Sequence, residues 1–256
     1  MKIAIITGAS SGMGREFVLQ MDGRFDSIDE FWLISRREEE LATLASGLVH
    51  KSRIFAMDVT KAGQLQRLET AIKLESATVC MLINCAGYGM MGRFEEVPLK
   101  DTLGMIRLNC EALTEITKRT IPYMAKNARI IMLASSAAFL PQADFAVYAA
   151  SKSYVLSLSR ALNQELRGKG ISVTAVCPGP VDTPFFERAE QYGQTLALKK
   201  FVMASPEKVV QKALRDAYFK KQVSTYGLPM KAFGLASKAL PHSLLLSVTE
   251  LLKGKE

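Results

Sequence analysis

Short apolar runs alternate along this chain with longer stretches in which apolar residues recur at helical spacing. The runs occupy residues 3–6, 31–34, 79–83, 130–133 and 171–177. Each run is bounded by turn residues, and this alternation predicts βαβ units with right-handed crossovers. Two further strands are predicted near 53–57 and 222–226. We therefore expect an α/β protein, a doubly wound parallel sheet of about seven strands with helices on both faces.

Length and composition favour a single folded unit. The chain has 256 residues, of which 48% are hydrophobic, and this suits one domain, 1–256, around one large core. The apolar run from Ile3 to Ile6 is too short for the core of a signal peptide, so a cytoplasmic location is expected. The four cysteines lack metal-ligand spacing, and His50 and His242 are the only histidines. No metal site is expected.

A glycine-rich turn follows the first predicted strand. Its sequence is Thr7-Gly-Ala-Ser-Ser-Gly-Met-Gly14, and a helix is predicted to begin within it. Glycines at these positions permit a tight turn and a close backbone approach to a pyrophosphate at the helix N-terminus. The turn itself contains no basic residue. It predicts a dinucleotide site.

Tyr148 and Lys152 lie four residues apart, which places a phenol and an ammonium on one face of a helix. A neighbouring cation favours the phenolate, so we expect the pKa of Tyr148 to be drawn down toward neutrality. The alternative is an ordinary surface phenol beside a lysine. The stretch 128–136 is predicted as a buried parallel strand that ends in two hydroxyls. At the carboxyl end of this strand, the hydroxyl of Ser135 can reach a substrate carbonyl.

The residues after the second strand bear on cofactor choice. Ser35 stands where an acidic side chain would bind the ribose hydroxyls of NAD(H), and Arg36 and Arg37 follow it. Arginines there favour the 2′-phosphate of NADP(H), so NADP(H) is preferred over NAD(H). Alternatively, the arginines pair with the acidic run 38–40 on an exposed helix start.

With these motifs in this order, the chain resembles the short-chain dehydrogenase/reductase family, in its compact single-domain form. The segment Asn84-Cys-Ala-Gly87 corresponds to the family's strand-four motif, with Cys85 where a second Asn is usual. Asn109 matches the helix asparagine that completes a tetrad with the Ser, Tyr and Lys above, and Pro178-Gly-Pro-Val-Asp-Thr183 matches the segment along the nicotinamide. The resemblance covers nearly the whole chain and implies a Rossmann fold.

The resemblance also implies roles for individual residues. Tyr148 transfers a proton, Lys152 lowers its pKa and donates to the nicotinamide ribose, Ser135 polarises the carbonyl, and Asn109 holds a water that links Lys152 to solvent. Asp58 matches the acidic residue that binds the adenine edge. The expected cofactor-binding set is Gly8, Ser10, Ser11, Gly12, Met13, Gly14, Arg36, Arg37, Asp58, Val59, Asn84, Ala86, Gly87, Tyr148, Lys152, Pro178, Gly179, Val181 and Thr183.

The substrate is less well defined by the sequence. The segment 184–205 corresponds to the family's variable lid, and its Phe185, Phe186, Tyr192 and Met203 either floor an apolar pocket or only pack the lid down. The first interpretation favours a ketone or aldehyde on an apolar, acyl-like or steroid-like skeleton. Two alternatives remain: an NADP⁺-dependent alcohol dehydrogenase working in the oxidising direction, and a non-catalytic NADP(H) redox sensor. The resemblance further implies a homodimer or homotetramer.

The C-terminal part of the chain is strongly basic. From Lys199 onward, 11 Lys or Arg stand against four carboxylates, which accounts for +7 of the formal net charge of +8. The segment 228–256 is apolar but interrupted by charge and proline, so it is unsuited to span a bilayer. It could contact a membrane surface weakly, contact an acyl-CoA phosphate, or pack on its own or a neighbouring subunit. No nucleic-acid-binding motif is present, and no nucleic-acid partner is expected.

Overall fold

The computed structural model describes residues 1–193, 203–241 and 245–247, and these form one parallel sheet with helices on both faces. The seven strands of the described part are β1 Lys2–Thr7, β2 Glu30–Ser35, β3 Lys51–Ala56, β4 Thr78–Asn84, β5 Met124–Leu133, β6 Ser172–Val176 and β7 Val223–Ser224. Their order across the sheet is β3-β2-β1-β4-β5-β6-β7. The predicted doubly wound Rossmann-type fold is confirmed.

The strand order reverses between β1 and β4, which places a crevice at the carboxyl edge of the sheet. Thr7, the last residue of β1, is in register with Asn84, the last residue of β4. Asn84 is in turn level with Met132, one residue before the end of β5. The loops that leave these three strands therefore start side by side and share the crevice.

Helices cover both faces of the sheet and bury most of β1, β2, β4 and β6. They are α1 Gly12–Met21, α2 Glu38–Ser46, α3 Gln64–Leu74, α4 Leu99–Ile106, α5 Leu113–Thr120, α6 Ala146–Glu165, α7 Phe185–Ala189, α8 Pro206–Tyr218 and α9 Leu228–Ala239. On β1, Ile3 and Ile5 join the core under α3, α5 and α6, whereas Ala4 and Ile6 join the core under α1, α2 and α8. Burial on both faces explains why the strands are continuous apolar runs.

Two elements differ from the sequence prediction. Strand β5 runs from Met124 to Leu133, four residues ahead of the predicted start at 128. Met124 pairs with Val79, beyond a register shift in the β4–β5 pairing that the apolar pattern does not predict. Arg107–Ala112 is a π-helical stretch between α4 and α5, which apolar spacing does not reveal. None of the helices in the described ranges is long and apolar enough to cross a bilayer.

Candidate functional site

The crevice is a cavity of about 830 Å³ at the carboxyl ends of the strands. Its walls come from the loops after β1 to β6 and from the start of α6. Of the residues that the sequence predicted as catalytic or cofactor-binding, all line this cavity except Asn84 and Asn109. The tertiary structure thus brings together positions spread over most of the chain.

The glycine turn is packed too closely for side chains. The backbone at Gly14, in the first turn of α1, lies so near the carbonyl oxygen of Gly8 that any Cβ would collide with it. Gly8 itself has a left-handed φ of +68°. The hydroxyl of Thr7 accepts hydrogen bonds from the amides of Cys85 and Ala86, each at 3.1 Å, and ties the turn to the loop after β4. This tight backbone cradle at a helix N-terminus fits a pyrophosphate.

A basic group reaches this turn from another strand. The Arg37 guanidinium donates to the Ser10 hydroxyl at 2.8 Å and to the Ser11 hydroxyl at 2.6 Å. Its nearest approach to Glu40 is 3.8 Å between half-exposed side chains. Arg37 therefore contacts the glycine turn more closely than it contacts the acidic run 38–40. The turn has no basic residue of its own, and the guanidinium of Arg37 supplies a positive charge next to it.

Asp58 lies at the same end of the cavity, beside Val59. Its carboxylate accepts hydrogen bonds from the backbone amide of Thr60 at 3.0 Å and from the Thr60 hydroxyl at 2.7 Å. Partial burial raises the pKa of Asp58, but these hydrogen bonds and the nearby charge of Arg36 outweigh it, so the pKa is lowered. The group stays ionised and available as an acceptor.

Tyr148 is held rigidly in the first turn of α6. Its ring stacks on Phe145 with centroids 4.2 Å apart and meets Phe185 at 5.4 Å. The phenol is hydrogen-bonded to Ser135, yet burial dominates and raises the pKa of Tyr148 to about 12. The predicted lowering of this pKa by Lys152 is wrong for this cleft, because the cost of burying the phenolate exceeds the stabilisation available from its neighbours.

Lys152 is directed at the backbone rather than at the phenol. Its ammonium donates to the Leu133 carbonyl at 2.7 Å and lies 5.6 Å from the Tyr148 ring centroid. The side chain is 4% exposed, and burial lowers the pKa of Lys152 to about 8. The lysine can therefore change charge near working pH, whereas the tyrosine stays protonated.

Asn109 lies in the π-helical stretch and is fully buried. Its side-chain amide donates to the Tyr88 carbonyl at 2.9 Å and to the Ser151 hydroxyl at 3.0 Å, and its oxygen accepts from the Tyr88 amide at 3.1 Å. A Cβ at Gly87 would lie 3.0 Å from the Asn109 oxygen and 3.4 Å from the Lys152 nitrogen. Asn109 thus fixes the loop after β4 next to Lys152.

Asn84 is placed differently from the prediction. Its side chain is buried and donates to the Thr117 hydroxyl at 2.9 Å, on the helical layer rather than in the cavity. The Asn84 side-chain oxygen has no hydrogen-bond partner among the described residues. As the last residue of β4 it points away from the crevice, so the expected contact with a cofactor ribose is not supported, and Ala86 and Gly87 face the cavity instead.

The segment after β6 closes the cavity opposite the glycine turn. Pro178, Gly179, Val181 and Thr183 line it, and the Thr183 side chain would contact a Cβ at Gly12 at 3.4 Å. The predicted apolar substrate end is present in part: Phe185 and Phe186 line the cavity, whereas Tyr192 and Met203 do not. The part of the lid at 194–202 lies outside the described residues.

Sequence reasoning missed a charged cluster at this end. The Arg188 guanidinium stacks 3.5 Å from the Tyr88 ring centroid and lies 3.9 Å from the Asp101 carboxylate. The Tyr88 hydroxyl donates to the Asp101 carbonyl at 3.1 Å. These residues come from the loop after β4, from α4 and from α7, and nothing in their sequence spacing links them.

Comparison with known proteins agrees with the geometry. The sequence profile described as "short chain dehydrogenase" matches residues 2–193. An uncharacterized oxidoreductase of Staphylococcus epidermidis is 30% identical over 73% of this chain and 80% of its own length. A 3-oxoacyl-[acyl-carrier-protein] reductase of Thermotoga maritima is 26% identical over 82% of this chain and 87% of its own.

A solved structure gives the same result. A short-chain dehydrogenase from Sphingobium yanoikuyae in complex with NADPH superposes with a TM-score of 0.81 at 27% identity, covering 96% of this chain and 95% of that one. The matched profile spans three quarters of the chain. The chain therefore belongs to the short-chain dehydrogenase/reductase family and is an NAD(P)-dependent oxidoreductase.

Proposed function

We propose that this oxidoreductase reduces a ketone or aldehyde to an alcohol with NADPH as the reductant and Tyr148 as the proton donor. The observation that carries the proposal is the buried Tyr148, hydrogen-bonded to the partly exposed Ser135 in the cavity, with Lys152 behind it. The tight turn at Gly14 and the arginine at Ser10 and Ser11 fit a phosphorylated dinucleotide at the other end.

In this scheme residues of this chain bind the carbonyl oxygen and donate the proton to it. The glycine turn and Arg37 would hold a nicotinamide dinucleotide, which in its reduced form would supply the hydride for the carbonyl carbon. The Ser135 hydroxyl binds the carbonyl oxygen as negative charge develops on it, and the Tyr148 hydroxyl delivers its proton to that oxygen. Because the pKa of Tyr148 is raised to about 12, the proton is in place at the start of every turnover in the reducing direction.

Lys152 and Asn109 complete the proposed tetrad. The ammonium of Lys152 has donors left after its bond to the Leu133 carbonyl, and we assign these to the nicotinamide ribose and to returning a proton toward Tyr148. Asn109 holds the backbone of Tyr88 and thereby the wall beside Lys152. Its side chain makes three hydrogen bonds within the chain, and its assignment as the holder of a water rests on the family resemblance.

The preference for NADP(H) is supported by Arg37 and Arg36. Arg37 brings a guanidinium to the hydroxyls of the glycine turn, and Arg36 lines the same end of the cavity, where no carboxylate replaces Ser35. Arginine matches the geometry of a phosphate with two parallel hydrogen bonds. The Sphingobium relative with this fold holds NADPH.

The proposed substrate is a carbonyl on an apolar skeleton. Aromatic rings of Phe145, Phe185 and Phe186 line the cavity around Tyr148. Such surfaces favour an acyl-like or steroid-like group over a small sugar. The Thermotoga relative is named as a 3-oxoacyl reductase, which is consistent with an apolar ketone but does not define one.

The test is Tyr148→Phe, with Tyr218→Phe on α8 as the matched control. Loss of NADPH absorbance is followed against a panel of apolar ketones. Removing the proton donor should reduce kcat by at least about a hundredfold, while NADPH still binds with the wild-type Kd. Tyr218 is 64% exposed and lines neither the cavity nor the groove along α4 to α6, so its variant should retain full activity. Wild-type rates in the Tyr148 variant would refute the proposal.

The same assay separates the two alternatives. An NADP⁺-dependent alcohol dehydrogenase would show faster turnover of the matching alcohols than of the ketones at equal saturation. A redox sensor would bind NADPH tightly and turn over no carbonyl in the panel. The presence of both Tyr148 and Lys152 in the cavity argues against the sensor.

We further propose a cytoplasmic homodimer or homotetramer built from the single domain 1–256. An exposed groove runs along α4, the π-helical stretch, α5 and α6, and its floor includes Ile106, Cys110, Thr114 and Tyr154. The Thr114 and Tyr154 hydroxyls are 2.7 Å apart across it. Light scattering of the purified protein, and of an Ile106→Glu variant, tests whether this groove joins subunits.

A further inference from the structure

Helix α9 presents two chemically different faces. Its inner face packs on loops that line the cavity: the Met230 sulfur occupies the space beside Gly179, where a Cβ would be only 2.7 Å away. The Phe233 ring lies 6.3 Å from that of Phe139, and Gly234 allows Phe139 to approach so closely that a Cβ would meet it at 2.9 Å. The helix is therefore seated on the loops that follow β5 and β6.

The outer face of α9 is apolar and basic. Leu228 is 80% exposed and Leu235 is 70% exposed. Lys231 and Lys238 are exposed as well. These four positions follow one another at intervals of three or four residues, so they form one stripe along the helix. Leu240, 43% exposed, extends the stripe past the end of the helix.

The surroundings of this stripe in the sequence carry no compensating acid. Between Asp216 and Glu250 there is no Asp or Glu at all. Exposed leucines interspersed with lysines and free of carboxylates are the pattern of a helix that lies in a membrane interface. The leucines enter the boundary between headgroups and acyl chains, and the lysines pair with anionic headgroups. A neutral or basic protein surface could bury the leucines, but it would offer the lysines no favourable electrostatic interaction.

We propose that the outer face of α9, formed by Leu228, Lys231, Leu235 and Lys238, docks reversibly on anionic lipid bilayers. The helix, about 18 Å long, would lie in the plane of the surface. Because its inner face contacts the loops at Phe139 and Gly179, docking holds this side of the cavity within about one helix diameter, or 10 Å, of the bilayer. The contact goes beyond the proposed reduction and does not depend on it.

The test uses flotation of the full-length protein with vesicles of phosphatidylcholine alone and with added phosphatidylglycerol. We expect binding to the anionic vesicles, little binding to the neutral ones, and weakening as salt is raised. The double variants Leu228→Ser/Leu235→Ser and Lys231→Glu/Lys238→Glu should each reduce partitioning at least about tenfold. The single substitution Ala232→Glu, on the same exposed face, should also reduce partitioning onto anionic vesicles.

Matched controls lie elsewhere on the surface. Val49→Ser/Leu74→Ser removes two apolar side chains that are 86% and 81% exposed, and Lys51→Glu/Lys169→Glu reverses two exposed lysines. Both should float like the wild type. The proposal is overturned if the wild type fails to bind anionic vesicles, or if the α9 variants bind as well as the controls. It is also overturned if those variants only change the oligomeric mass measured by light scattering, which would make this face a subunit contact.

Discussion

The Arg37 guanidinium is hydrogen-bonded to the hydroxyls of Ser10 and Ser11, at 2.8 and 2.6 Å. Arg37 follows β2 and the two serines follow β1, so the contact joins the loops that leave two neighbouring parallel strands. The guanidinium of Arg37 therefore lies at the end of the cavity that Arg36 and Asp58 also line.

Replacing Arg37 by Ala should weaken NADPH more than NADH. A guanidinium–phosphate contact is worth about 1.5–3 kcal/mol, so the KM for NADPH should rise by about 10- to 100-fold while that for NADH changes little. Steady-state kinetics with both cofactors measures the ratio. Arg24→Ala, at a residue that does not line the cavity, is the control. An equal loss for both cofactors would show that Arg37 supports the turn rather than the phosphate.

The pH dependence of reduction should report Lys152 and not Tyr148. Burial lowers the pKa of Lys152 to about 8, so the fraction of charged lysine falls as pH rises through that value. The kcat/KM for NADPH, which reflects ionisations of the free enzyme, should therefore decline above pH of about 8, approaching tenfold per pH unit. Tyrosinate absorption of Tyr148, measured as the difference between wild type and Tyr148→Phe, should stay absent across this range. A tyrosinate signal near neutrality would contradict the prediction that Tyr148 stays protonated.

Gly89→Ala should impair catalysis with little change in cofactor binding. A Cβ at Gly89 would lie 2.8 Å from ring atoms of both Phe145 and Tyr148, so the stacked pair must shift. A displacement of about 1 Å at a reacting group costs about a hundredfold in rate. The readout is kcat together with the Kd for NADPH. Gly168→Ala is the control, because nothing lies within 4 Å of its Cβ position.

Asp216 should stabilise the fold at neutral pH and lose this effect in acid. Its carboxylate is 3% exposed and accepts hydrogen bonds from Lys212 at 2.7 Å, Lys221 at 2.9 Å and Ser224 at 2.8 Å, which joins α8 to β7. Burial raises the pKa of Asp216, but these hydrogen bonds outweigh it and the pKa lies below its usual 3.8. Asp216→Asn should lower the free energy of unfolding by about 2 kcal/mol at pH 7.

The sign of the pH effect follows from that lowered pKa. The stabilisation is complete above the unfolded-state pKa of 3.8 and is lost as pH falls through the lower pKa of the folded state. Denaturant unfolding at neutral and at acid pH should therefore show the difference between wild type and Asp216→Asn shrinking below pH 3.8. Asp26→Asn, at an exposed position, should show no comparable change.

Much of the site was predictable because its motifs are local. The glycine turn spans a few residues, and Tyr148 and Lys152 share a helix face, so their spacing alone places them. Two predictions were decided only by the tertiary structure. Arg37 meets the glycine turn rather than mainly the acidic run after it, and Asn84 faces the helical layer rather than the cavity. Both depend on how neighbouring strands are placed, which spacing within one strand does not encode.

The sequence by itself determined the parallel sheet, the dinucleotide end of the cavity and the pair of Tyr148 and Lys152, because apolar period and turn chemistry are short-range properties of the chain. Only the tertiary structure decided the electrostatics of that pair. The pKa of Tyr148 is raised and that of Lys152 lowered because both are buried by residues distant in sequence, and desolvation depends on the whole surrounding volume rather than on the nearest charged neighbour.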